Sequence, residues 1–185
     1  MATVAEKLLT IEEFAAMPDP GYPTELVRGR IVAMPLPKPL HGVVCAQLVY
    51  LVKLFLATNP PGRVMSNDSG VVTERDPDTL RGADVAYYSY RRVPKQTSLS
   101  EYLSVAPELI FEVLSPSDRR SNVLRKVAEY LDAGVVLVCV VDPERMQAVL
   151  HRADGPTIVL GTDAEFAAPD ILPGFSIKVR SFFEE

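Results

Sequence analysis

The chain has 185 residues, of which 48% are hydrophobic and 23% charged, and its formal net charge is −5. That length and composition fit one soluble globular domain whose core needs no disulfide or metal staple, and they exclude disorder as the main state. The acidic balance excludes a general basic coat for nucleic acid, so a polyanionic partner requires local basic patches or a bound cation.

The first element follows a capping box, Thr10-Ile11-Glu12-Glu13, and is a short helix through Met17, stopped by Pro18-Asp19-Pro20-Gly21. Glu25–Val27 and Arg30–Met34, separated by Arg28-Gly29, predict a tight hairpin. Pro35, Pro37 and Pro39 make a stiff connection into His41. Gly42–Ala57 has Val44, Leu48, Leu51 and Phe55 at helical spacing with Lys53 as its only charge, which predicts a largely buried helix ended by Asn59-Pro60-Pro61-Gly62.

Strands are expected at Arg63–Met65, Gly70–Thr73 and Ala83–Tyr88, with Asp76-Pro77-Asp78 as a turn. After the polar stretch Arg91–Glu101 come an apolar strand at Leu109–Leu114, a helix at Ser121–Ala133 and a β-branched strand at Val135–Val141. Gly134 stands where a helix C′ glycine belongs. Strand, helix and strand here predict a right-handed crossover with parallel pairing. Asp142-Pro143-Glu144 leads to strands at Ala148–His151 and Thr157–Leu160, and Pro173–Phe183 reads as a short strand and turn. The expected fold class is α/β, a mixed sheet with an antiparallel section before the crossover.

The two cysteines, Cys45 and Cys139, lie in apolar runs and read as small buried hydrophobes. Met1–Leu9 lacks the charged start and apolar core of a secretory leader. Neither Val135–Val141 nor the interrupted Gly42–Ala57 reads as a bilayer span. The expected compartment is the cytoplasm, with no membrane partner.

Glu112 is the anomaly of the pattern, an acid inside Leu109-Ile110-Phe111-Glu112-Val113-Leu114. A buried carboxylate without a partner costs several kcal/mol or takes up a proton. Asp84 stands at the start of another apolar strand; alone it reads equally as a turn residue. Together on neighbouring strands they would suit a hard divalent cation such as Mg2+, with the Val113 carbonyl as a further oxygen. Helical periodicity turns Lys126 away from the Leu124, Val127, Ala128 and Leu131 face and towards solvent. Val123 and Tyr130 flank it, so its stem has apolar surface to cross. Glu25 and His41 have no role that their local sequence defines.

Arg91, Arg92 and Lys95 follow the Asp84 strand, and Arg119, Arg120, Arg125 and Lys126 follow the Glu112 strand. If the strands are neighbours, both clusters are expected near one site as phosphate contacts. A glycine-rich phosphate loop, a nucleophile elbow, Cys-x-x-Cys and His-Glu-x-x-His are all missing from the sequence.

These residues resemble the PD-(D/E)XK nuclease superfamily, and within it the Uma-type small bacterial restriction-endonuclease group, over Leu9 to Phe183. Leu9-Thr10-Ile11-Glu12-Glu13-Phe14 is similar to that group's first helix, and Thr24 to Val32 to its Tyr-Glu-Leu hairpin. The most specific match is Pro107-Glu108-Leu109-Ile110-Phe111-Glu112-Val113-Leu114-Ser115-Pro116-Ser117, followed in order by Lys126-Val127-Ala128-Glu129-Tyr130 and Val141-Asp142-Pro143.

The resemblance implies a single restriction-endonuclease-like domain over residues 1–185, with Asp84 and Glu112 as the paired acids. Leu114 stands at the motif's lysine position, and Lys126 would supply the lysine from the next helix. Glu25 would be an additional acid and His41 an accessory. Ala83 replaces the motif's proline, Arg28 and Arg30 replace acids, and the last core strand lacks a Tyr-Trp pair. The implied function is Mg2+-dependent hydrolysis of DNA, with Mn2+ as a substitute and a homodimer as one arrangement. The alternatives are a non-catalytic nucleic-acid-binding or regulatory protein on the same fold, and a structural dimer module.

Overall fold

The computed structural model describes residues 7–58 and 61–184. Asn59 and Pro60 of the expected helix terminator, and Met1–Glu6 of the N-terminal segment, lie outside the described residues. Thr10 caps α1 (Ile11–Ala15) through the anticipated capping box. Beyond it, β1 (Thr24–Val27) and β2 (Arg30–Ala33) form the hairpin, with Arg28 and Gly29 both at positive φ.

Helix α2 (Pro39–Thr58) starts three residues before the expected point. It packs Val44, Leu48, Val52 and Leu56 onto the sheet, one stripe at i, i+4 spacing. The helix is not largely buried, because Leu40, Val43, Tyr50 and Leu54 on its other side are exposed. At 20 residues it is also long and apolar enough to cross a membrane by length and composition, contrary to the shorter segment expected.

The strands expected at Arg63–Met65 and Gly70–Thr73 are parts of one strand, β3 (Gly62–Glu74). It pairs along nearly all of β4 (Thr79–Ser89) and is interrupted by a bulge between Ser66 and Ser69, where Asn67 and Asp68 adopt positive φ. Asn and Asp tolerate that region, so the Asn67-Asp68-Ser69-Gly70 run bends the strand without ending it.

Next come β5 (Leu109–Val113), α3 (Arg120–Asp132) and β6 (Leu137–Asp142), with β5 and β6 parallel as anticipated. β7 (Gln147–His151) and β8 (Ile158–Leu160) extend the sheet. Its order is β2-β1-β4-β5-β6-β7-β8, with β3 also on β4, which gives eight strands. The tail forms β9 (Glu165–Ala167), β10 (Ser176–Lys178) and a 3-10 helix (Val179–Phe182).

Alternation along the central strands divides the core into two layers. Leu109, Phe111 and Val113 join α2 and the tail's Phe166, Phe175 and Phe182, while Ile110 joins Val127 and Tyr130 of α3. The protein is therefore an α/β fold, a mixed sheet flanked by helices.

The buried positions of α3 are Val127 and Tyr130, and Leu124 is 45% exposed. The expected apolar face is thus rotated by one position. Tyr130 carries more buried surface than Leu124 or Ala128 can, and it turns the helix so that Lys126 faces the sheet.

Candidate active site

The site forms where β4 loses regular contact with both neighbours. On one side the β3 bulge sits against it; on the other, the β4–β5 ladder ends at the pair Val85 and Phe111. Asp84 occupies this opening. Its Oδ2 accepts the Val113 N–H at 2.7 Å and lies 3.3 Å from His41 Nε2, contributed by the first turns of α2.

In a strand, the N–H and C=O of one residue leave on the same side. The Val113 carbonyl therefore also points towards the β4 side, beyond the last ladder pair. Glu112 projects into the α3 layer, where its Oε2 accepts Lys126 Nζ at 2.8 Å and its Oε1 accepts Tyr130 Oη at 2.9 Å. Lys126 also donates to the Gly82 carbonyl at 2.7 Å and stands 3.4 Å from Glu25 Oε1.

Asp84, Glu112, Val113, Lys126, Glu25 and His41 all line one cleft of about 490 Å3. The helix rotation brings in Lys126, which periodicity had turned to solvent. Arg119 and Arg125 line the same cleft, whereas Arg120, exposed at the start of α3, is not part of the lining.

The second basic cluster is elsewhere. β4 and β5 are antiparallel, so the segments that follow them leave from opposite ends of the sheet. Arg92 is used structurally, donating to the carbonyls of Ala106, Pro107 and Gly134 and lying 3.4 Å from Glu108. The expectation that Arg91, Arg92 and Lys95 gather at the carboxylates is therefore corrected by strand direction.

The electrostatics follow from burial. Desolvation pushes Glu112 up to about 7 and Asp84 pushes the same way, against the ammonium of Lys126 and the hydrogen bonds from Lys126 and Tyr130. Desolvation disfavours the ammonium of Lys126, yet Glu112, Glu25 and Asp84 outweigh it and raise the group. Lys126 is thus a fixed cation at neutral pH and not a proton acceptor. Asp84 raises His41, chiefly through their hydrogen bond and against burial.

Three participants were not visible in the sequence pattern. Asp68, exposed on the bulge, lines the cleft, where partial loss of water around its carboxyl group and the charge of Asp84 push it up. Its signal is the Asn67-Asp68-Ser69-Gly70 turn composition, which read only as a gap between strands. Tyr130 has no local signal beyond its spacing from Lys126.

Arg81 bridges Glu25 at 2.7 Å and Glu129 at 2.5 Å. Replacing one partner of a buried pair leaves the other charge uncompensated. Arg81→Met is expected to cost about 3 kcal/mol of stability. Urea denaturation checks this, and an unchanged midpoint would show that the bridge contributes nothing.

The donor set fits a divalent cation. Glu25, Asp68, Asp84 and Glu112 face one cleft whose buried cations are Lys126 and Arg81, and Arg81 is shared with Glu129. These donors are oxygens, as hard cations prefer. Among the described residues, the group of three metal-binding side chains whose ligand atoms lie within 4.8 Å of one another is His41, Cys45 and Asp84. Burial, with the charge of Asp84 beside it, pushes the Cys45 thiol up.

Comparison with solved structures finds "a putative nuclease belonging to DUF820 from Anabaena variabilis ATCC 29413", with a TM-score of 0.82 and 19% sequence identity, covering 95% of this chain and 97% of that one. At that identity the likeness establishes the fold. No curated protein matches the chain. A family model, Uma2, described as "Putative restriction endonuclease", matches residues 11–180. Spanning nearly the whole sheet and every residue that lines the cleft, that match makes the chain a member of the Uma2 family.

Proposed function

We propose that this protein is a divalent-metal-dependent endonuclease that hydrolyses DNA phosphodiester bonds, with Mg2+ as its ion and Mn2+ as a substitute. The observation that carries the reading is the convergence of Asp84, Glu112 and Lys126 in one cleft. Family membership supports nuclease chemistry on this fold. A non-catalytic binder has no need of two buried carboxylates on neighbouring strands, which are costly to maintain.

Asp84, Glu112 and the Val113 carbonyl would hold the ion. A cation bound there polarises a phosphoryl oxygen and lowers the pKa of its water. Lys126, fixed as an ammonium, offsets the charge of Glu112 and would stabilise the negative charge that develops on the phosphoryl oxygens. Glu25 holds Lys126 and Arg81 in place. His41 orients the Asp84 carboxylate from the α2 side. Arg119 and Arg125 would contact flanking phosphates.

The test is cleavage of supercoiled plasmid with and without metal. Nicking is expected in Mg2+ or Mn2+ and should disappear with EDTA. Calorimetric titration of the protein with Mn2+ should show uptake. Failure to bind any divalent ion would leave the binding-protein alternative in its place.

A further inference from the structure

The lining of the cleft combines cations and small polar groups, Arg119, Arg125, Ser115, Ser117 and Asn122, with exposed apolar side chains. Among the latter, Leu36 is 78% exposed and Tyr102 is 42% exposed.

Tyr102 has a built seat. A Cβ on Gly70 would come within 2.6 Å of its ring, so the ring rests against bare backbone. Gly70 pairs with Gly82, two residues before Asp84, and the Gly82 carbonyl accepts Lys126. An exposed aromatic ring is thus fixed beside the carboxylates.

Resting on the nuclease reading above, we infer that the cleft takes single-stranded DNA, with a base stacked on Tyr102 and the adjoining phosphates held by Arg119 and Arg125. An aromatic platform beside a basic wall is how proteins grip single strands, because every base offers a stacking face once it is unpaired. A base inside a duplex has that face covered. The cleft, about 490 Å3, is in the range that encloses one small ligand, on the order of one or two nucleotides. Leu36, on the stiff segment between β2 and α2, gives a second apolar surface at the rim.

The experiment compares a 15-nucleotide single strand with its duplex by fluorescence anisotropy in Ca2+, with 2-aminopurine in the strand to report stacking. The single strand is expected to bind at least about tenfold more tightly. Tyr102→Ala should weaken that binding by roughly tenfold and leave duplex binding unchanged. Tyr102→Trp should retain it. Gly70→Ala, which displaces the ring without removing it, should reproduce the loss.

Equal affinity for strand and duplex, or wild-type binding by Tyr102→Ala, overturns the inference. Mn2+-dependent plasmid nicking would in that case still uphold the nuclease reading. Tyr102-dependent strand binding without cleavage of any substrate would instead uphold the inference and overturn the nuclease reading.

Discussion

Asp84→Asn is expected to abolish metal-dependent DNA cleavage while the protein stays folded. The amide is nearly the same shape as the carboxylate, and its oxygen still accepts the Val113 N–H that fixes the mouth of the strand fork. What it loses is the charge. Groups that only support a metal ligand cost ten- to a hundredfold when removed, so loss of a ligand should exceed about a hundredfold in Mn2+ affinity and in nicking rate. Stability should change little, because relief of the like charges on Glu112 and Asp68 is offset by loss of the pairing with His41. The measurements are Mn2+ calorimetry, plasmid nicking and thermal melting on the same preparation. Nicking at the wild-type rate by the variant would remove Asp84 from the site.

Lys126→Met tests the other half of the charge arrangement. The stem is replaced in shape and the ammonium is lost, leaving Glu112 buried with only Tyr130 as a hydrogen-bond donor. Breaking a buried pair in this way costs about 3 kcal/mol. In a chain of this size that lowers the melting temperature by roughly 6–12 °C. Protonation of Glu112 limits the loss, since its carboxyl group already sits high.

The double variant Lys126→Met/Glu112→Gln removes both charges, and it should recover most of the lost stability without recovering cleavage. That pattern separates the structural contribution of the pair from its part in chemistry. A single variant as stable as the wild type, or a double variant no better than the single, would show that the two groups are not coupled.

The central strands, the crossover helix and the paired acids were legible because burial leaves a direct mark on sequence. A five-residue strand flanked by turns has few ways to be apolar throughout except at the middle of a sheet, and Glu112 stands out against it. Positions set by tertiary contact were not legible. The face of α3 depends on how Tyr130 weighs against Leu124 and Ala128, and the rotation decides whether Lys126 meets water or Glu112. Asp68 depends on a bulge that keeps β3 running where turn residues imply a break. Arg91 and Arg92 failed for a topological reason, since residues that follow two antiparallel strands separate.

The burial of α3 adds a dynamic consequence. Its fully buried side chains are Val127 and Tyr130, helped by the half-buried Val123 and Leu131 and by the polar contacts of Lys126 and Glu129. A motif lysine carried on the β5 strand itself would move only with the sheet; this one rides on the helix and can leave without the sheet opening. Local undocking of α3 would withdraw the ammonium and the Tyr130 hydroxyl together, and Glu112 would take up a proton in response. On the proposed nuclease reading, the competence of the cleft would follow the opening equilibrium of one helix, a quantity that amide hydrogen exchange along residues 120–132 reads directly.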